Sequence, residues 1–593
     1  MSRSLPETLP VSRHPRARAL ALAVPVALAL LVAGCGERGA PVAVEGIAAV
    51  QGAGERSAFE GQRARIEGVV TLPMADGAFV QGLRADDNAG TSHGLFVMPA
   101  AGQPPLEVGQ HLRAEGVVAE SGDGATLTTL ADARIEILGT APLPEPITLE
   151  APPRDWEALE GLRLRVSAPL TVTGNDALLR FGEVDLAFDG RLHTPTEVAP
   201  PGDAARALRA ANRARTLVLD DASTAENPAA IAWLPAPVSA AAPLRAGSVL
   251  RGVQGVLDQR WGGYRLQADA AVSEVQQAPR PAAPRVDGAV RIAGMNLLNL
   301  FNGDGQGGGF PTERGARDHE GYVRQLAKHV ATITALDPAI IAAQELENDG
   351  FGPESAVQEL ADALNAAQPG ARWTPVASGG RIGGDQITVG LLYRADRVDA
   401  VGAPALVVDG PFQYGSRPVL AQSFRKGRGA VFTVASVHFK SKGGCEDAQG
   451  ADRDQNDGQG CFNAQRVASA EAMHAWLATD PTGSGSDRVA VLGDFNAHAM
   501  EDPMRGLRER GWVDAFAASV DGAVAPHSFV FDGQAGRLDH AMLSPSMAAR
   551  LRGAAKWHVN SDESIAFGYF GPLGRDAGPW RSSDHDPMLI GVD

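Results

Sequence analysis

Three cysteines in 593 residues leave no room for a zinc framework or a disulfide-dense scaffold. Aromatic residues make up 5% of the chain, and few fall in the regions that read as β-structure, too few to pave a platform for stacked bases. A basic excess is also missing. The 53 Lys and Arg face 70 Asp and Glu, a formal net charge of −17, which is the wrong sign for a protein that lives by non-specific attraction to DNA. That balance still admits a hydrolase, which must release its product and can neutralise phosphate locally with a metal and a few arginines. The apolar run over residues 19–33 is too short and too Ala-rich to hold as a membrane span.

That run instead has the layout of a secretory signal over residues 1–34, with Arg3, Arg13, Arg16 and Arg18 ahead of it. Leu31-Val32-Ala33-Gly34-Cys35 matches the bacterial lipobox, in which Cys35 takes the lipid. Gly36 is not the aspartate that retains lipoproteins at the inner membrane. The expected address is therefore an exported, outer-membrane lipoprotein, with a periplasmic or extracellular chain as the alternative. Cys445 and Cys461 remain as a pair in an oxidising compartment. A disulfide there would close a loop rich in Asp and Gly, and loop entropy puts its contribution on the order of 3 kcal/mol. Within that loop residues 452–458 resemble the head of a calcium loop, but Gly stands at position seven and Asn463 replaces the closing Glu. A solvated acidic loop is the default.

Pro-rich breaks at 142–146 and 279–284 divide the chain. Residues 36–140 alternate apolar and polar positions between Gly turns, the pattern of a small β-barrel. The phrase Gln-x-(apolar)-x-(apolar)-x-Gly-Val-Val, in 62–70 and again in 110–118, looks like the first strand of an oligonucleotide/oligosaccharide-binding (OB) fold. Residues 147–278 read as a second, OB-like β-domain with a helix near 203–215 and a hairpin at 261–266. Single-strand tracking and a spacer or docking role both stay open for it. After a linker at 279–287, residues 288–593 alternate strands with helices at 322–333, 355–366 and 461–477.

Val489-Ala490-Val491-Leu492 runs straight into Gly493-Asp494-Phe495-Asn496, a buried strand ending in polar residues. In extended chain Asp494 and Asn496 would share one face. The pattern recurs. Apolar runs end in Gln344-Glu345 and in His438; Asp539-His540 and Asp584-His585-Asp586 precede apolar runs; Asn296 follows the strand that starts at Val290. The order Asn, Glu, His, Asp-x-Asn, Asp, Asp-His resembles the endonuclease/exonuclease/phosphatase superfamily, the metal-dependent phosphodiesterases that include pancreatic-type deoxyribonucleases. The Gly-rich stretch 302–315, with Phe310-Pro311-Thr312 and Arg314-Gly315, narrows the resemblance to bacterial extracellular nucleases with two β-domains upstream.

The resemblance implies a multidomain chain, OB-like barrels followed by a four-layered α/β sandwich. It also implies a metal set of Glu345, Asn296 and Asp584 with Mg²⁺ as the expected ion, Mn²⁺ or Ca²⁺ being alternatives. His438, Asp494, Asn496, Asp539, His585 and Arg417 form the implied catalytic set. Asp539 would orient His585, Asp385 would orient His438, and Asn496 and Arg417 would meet the phosphate. Whether Asp494 or His585 takes the water's proton stays open. The expected activity is hydrolysis of nucleic acid, DNA first, by a monomer anchored to the outer membrane. The rival readings are a phosphodiesterase or phosphatase acting on lipid headgroups or small phosphate esters, and a non-catalytic binding lipoprotein, which predicts a broken metal set.

Overall fold

The computed structural model describes residues 44–593 apart from 85–87, 89, 123–125, 518–523 and 577. The signal segment and Cys35 thus lie outside the described residues. Five strands close the first region into a barrel: β1 (Arg63–Met74), β2 (Gly77–Gln81), β3 (Gly94–Pro99), β4 (Gln110–Ser121) and β5 (Leu127–Thr140), in the order β1-β2-β3-β5-β4. The two copies of the Gln-led phrase are antiparallel partners of one another, with Arg65 opposite Glu115 and Glu67 opposite Arg113. Each phrase carries Arg two residues before Glu, so antiparallel pairing sets opposite charges face to face, at 2.5 and 2.8 Å. Glycine in the phrase lets the wall close, because a Cβ on Gly116 would lie 2.5 Å from the Ala131 carbonyl. Ile66, Val80, Leu95, Leu112 and Leu130 fill the interior.

The second region differs from the expected barrel. Nine strands between residues 147 and 276 form one sheet that is not closed. The irregular segment after residue 222 covers it with Ile231, Trp233, Val238 and Leu244, which join the same apolar cluster as Leu164, Leu186 and Leu257. A sheet whose face is capped by a segment with its own apolar side chains has less to gain by curling shut. The helix Asp203–Ala214 and the hairpin across Trp261 form as expected. The short strand Leu192–His193 leaves this region and pairs with Gln534–Gly536 near the C-terminus.

Two six-stranded sheets make the C-terminal region. One runs Trp373–Pro375, Ile387–Arg394, Ile340–Glu347, Val290–Leu300, Met588–Val592, Leu551–Lys556; the other runs Asp399–Val407, Val419–Arg425, Phe432–His438, Val489–Asp494, Asp539–Leu543, Val513–Asp514. One apolar cluster joins residues of both sheets, Ile292 and Ile340 with Val434 and Leu492. A second joins the first sheet to the helices His319–Leu336 and Ala356–Ala367, and a third joins the other sheet to Asn463–Leu477 and Asp502–Glu509. Asp318 and Ser355 cap the first two helices through their side chains. Among the described residues no helix is long and apolar enough to cross a membrane.

Candidate active site

Register builds half of the site. His438 lies opposite Asp494 on the parallel neighbour, and Asp494 lies opposite Asp539 on the antiparallel one. Registered residues on adjacent strands share a face, and alternation puts these three on the face that buries Val434, Leu492 and Ala541 between the sheets. The row therefore emerges where the intersheet core ends. Gly493 permits the close approach, because a Cβ there would lie 2.1 Å from the Val437 carbonyl.

The facing sheet supplies Asn296 and Glu345. Ala343 packs outward against the helices and Gln344 turns inward, its Nε2 donating to Ser436 Oγ across the sheets at 2.9 Å. Simple alternation would send Glu345 outward. Instead the pairing register shifts between Ala343 and Leu346, and Glu345 takes the left-handed conformation at φ 59°. An extra residue in one strand re-aims a side chain, here at a cost of order 1–3 kcal/mol for the left-handed backbone. Its carboxylate is held by Asn296 Nδ2 at 3.0 Å and the Asn299 amide at 3.0 Å.

His585 arrives from the loop before Met588–Val592. Its Nδ1 lies 2.8 Å from Asp539 Oδ2, and its Nε2 lies 3.9 Å from Asp494 Oδ2. The second gap is too long for a hydrogen bond and leaves room for a bridging oxygen. Burial opposes charge on this imidazole, but Asp539, Asp584 and Asp494 outweigh it and hold its pKa well above the ordinary value. Burial, against the pull of His585, pushes Asp494 up to about 7. Glu345 is raised by burial and by Asp584. His438 is driven the other way by burial and by Arg417, so it is neutral.

Two acidic groups crowded together at partly buried positions fit a hard divalent cation with oxygen ligands. The Asn299 Oδ1, beside Glu345, is buried without a hydrogen-bond partner. Glu345 and Asp584 are the side chains that would hold such an ion. Asn296 behaves differently from the expected ligand. Its Oδ1 accepts the Leu298 amide at 2.9 Å, while Nδ2 faces Glu345 and, at 3.4 Å, Asp494. As placed, it orders two carboxylates.

Further expectations need correction. Asp385 does not touch His438; it pairs with Arg417 Nε at 3.0 Å and with Arg314 at 3.9 Å. His438 Nδ1 is buried without a partner, and Nε2 lies 3.6 Å from Asp494. Arg417 itself is buried, tied by its amide to the His438 carbonyl. Asp494 and Asn496 do not share an extended face, because the strand stops at Asp494. The Asn496 amide bonds back to Asp494 Oδ1 at 2.8 Å, φ at Asn496 is 49°, and its Nδ2 donates to the Phe439 carbonyl. The asparagine turn and the strand end are one feature.

Several site residues carried no sequence signal. Ser528 Oγ accepts the Asp539 amide, Lys556 Nζ donates to the Asp539 carbonyl at 2.7 Å, and Phe529 lies 4.7 Å from the His585 ring. Ser528, on a loop, and Phe529, at the start of a three-residue strand, follow no period that a sequence shows. A second group of ligating types, His527, His558 and Asp562, sits behind the site. Arg191 of the second region enters it at 2.8 Å from Asp562, so its carboxylate is already neutralised.

Carboxylates, a histidine–aspartate pair and an arginine converging at the ends of two facing sheets define a phosphoester-hydrolase type of site. Residues 299–585 match the model of the Endonuclease/Exonuclease/phosphatase family, and the C-terminal region is a domain of that family. An endonuclease/exonuclease/phosphatase of Bacteroides vulgatus is similar at 14% identity over 51% of this chain and 99% of that one, with a TM-score of 0.33. The human Nocturnin catalytic domain with bound sulfate is similar at 16% over 52% and 95%, TM-score 0.33. A mannosyl-6-phosphatase of Bacteroides thetaiotaomicron is similar at 16% over 51% and 99%, TM-score 0.31. No curated protein matches the chain.

Proposed function

We propose that this protein is an exported, metal-dependent phosphodiesterase that hydrolyses nucleic acid, with DNA as the first substrate to test. The observation that carries the reading is the convergence of Glu345, Asp494 and the Asp539–His585 pair in one site. Glu345 and Asp584 would hold a divalent ion, which would supply Lewis-acid charge at the phosphate. Asp494, with a pKa near neutrality, is suited to take a proton from the attacking water. His585, kept charged by Asp539, directs Nε2–H into the same gap and can donate to a phosphate oxygen. Arg417, fixed by Asp385, adds positive charge beside them.

The closed order β1-β2-β3-β5-β4, with β3 and β5 parallel, supports the OB-like reading of the first region. Export and anchoring through Cys35 belong to the same proposal and rest on the N-terminal sequence. The test is degradation of plasmid and single-stranded DNA by the purified protein with Mg²⁺, with EDTA, and with His585→Ala. Loss under EDTA and in the variant supports the reading. Metal-independent hydrolysis, or full activity in His585→Ala, overturns it.

A further inference from the structure

Large aromatic side chains are scarce on this surface. Among the described residues those left widely exposed are Tyr414 at 79%, Phe531 at 49% and Phe570 at 50%. Isolated exposed apolar residues call for no explanation, but the two phenylalanines connect to the site. Phe531 lies on the hairpin formed by Phe529–Phe531 and Gln534–Gly536; its ring is near-parallel to Phe529, at 11° and 6.5 Å, and Phe529 rests on His585. Phe570 packs edge-on to Tyr569 at 5.1 Å. The Tyr569 phenol is buried within the field of Asp584 and Glu345.

Charge is arranged to match. In a chain of net −17, Arg317 and Arg381 are exposed on the loops around the site and Arg314 is partly so. Arg314 reaches Asp385 beside Arg417, Arg317 acts on Tyr569, and Arg381 acts on Glu347. Aromatic faces interleaved with arginines around a phosphoester site are complementary to a polyanion whose bases are free to stack.

We propose that Phe531 and Phe570 are stacking positions for unpaired bases, and that the substrate is single-stranded nucleic acid rather than duplex. This rests on the phosphodiesterase reading above and specifies its substrate. In a duplex each base face is covered by its neighbours, so an exposed ring gains little there; an unstacked base offers both faces.

The experiment separates binding from chemistry. Anisotropy of a short labelled single strand is measured in EDTA with the full protein, beside the same sequence as duplex and beside anionic phospholipid vesicles. Hydrolysis of bis(p-nitrophenyl) phosphate is read in parallel with Mg²⁺. Phe531→Ala and Phe570→Ala should each weaken single-strand binding by about five- to a hundredfold, the range for loss of one stacked base. Hydrolysis of the small diester should stay unchanged, and Phe531→Trp should retain strand affinity. Equal affinity in the alanine variants, equal loss for duplex and single strand, or vesicle binding that vanishes in the variants would each overturn the proposal. If the wild-type protein cleaves no phosphodiester, the parent reading fails, while the EDTA arm still decides whether these rings hold bases.

Discussion

Glu345 concentrates the energetic argument at the scale of one residue. Its backbone is held in the left-handed region at φ 59°, and its half-buried carboxylate is crowded by Asp584. Neither feature favours folding, so both point to a task the side chain performs once a cation is bound. Glu345→Ala should reduce metal-dependent hydrolysis by on the order of 10³-fold, several kcal/mol of lost charge stabilisation, while the melting temperature holds or rises. Retained activity in a steady-state assay would remove Glu345 from the metal set. Asp539→Asn tests the other half. The Asp539 anion favours the charged imidazole and burial opposes it, so removing the anion should lower the His585 titration midpoint in NMR of the metal-free protein. Turnover should fall by about 10²- to 10⁴-fold, the span for a disabled acid–base group.

The loop between Cys445 and Cys461 shows how an element acquires order that its composition does not supply. It has little apolar content, and the disulfide closes it with Cα atoms 5.6 Å apart. It is not simply solvated, because it docks on the second region. The Gly202 amide bonds the Asp457 carbonyl at 2.8 Å, Arg206 Nη1 donates to the Asn456 carbonyl, and Gly458 faces Thr196 and Ala205. Its acidic side chains bond local groups: Asp454 takes the Asn456 amide, Asp457 takes Gln459, and Asp452 takes the Gln465 amide. Reduction should therefore raise amide exchange across 446–460 and in the helix Asp203–Ala214, leaving both C-terminal sheets protected. Exchange confined to the loop would show that the docking does not depend on the disulfide.

The second region and the C-terminal domain share buried charge across their boundary. Glu197 accepts Arg537 Nε at 2.7 Å, and Arg537 Nη1 reaches Asp514 at 2.7 Å. Arg537 stands two residues before Asp539, so the contact braces the strand that positions His585. Removing one partner of a buried pair costs about 3–5 kcal/mol, which is the loss expected for Glu197→Ala in urea denaturation. Residues 288–593 expressed alone should be less stable for the same reason, since Arg537 keeps Asp514 but loses Glu197. The barrel's junction carries a different signature. Glu160 accepts Gln51 Nε2 and the Thr128 amide, and burial pushes its pKa up to about 8. A raised pKa means the folded state holds the proton, so this contribution is complete below the ordinary carboxylate range and disappears as pH climbs through about 8. Melting temperature should fall over that window in the wild type and stay flatter in Glu160→Gln.

Strand runs such as 489–494 and 432–438, and the polar residues that end them, were legible in the sequence because a sheet buried on both faces demands continuous apolar residues and puts chemistry at its ends. The same holds for the barrel phrase, whose Arg-x-Glu spacing already contains its cross-strand pairing. Tertiary structure alone decided the rest. The aim of Glu345 depends on a register shift set by neighbouring strands, not on its own periodicity. Asp385 went to Arg417 instead of His438 because loop geometry, not spacing, decides which partner is near. The open second sheet followed from a loop that covers it, and Glu197 meets Arg537 across 340 residues of chain. Periodicity is a local property that a sequence displays directly; a contact between distant segments exists only after the chain has chosen how its layers pack.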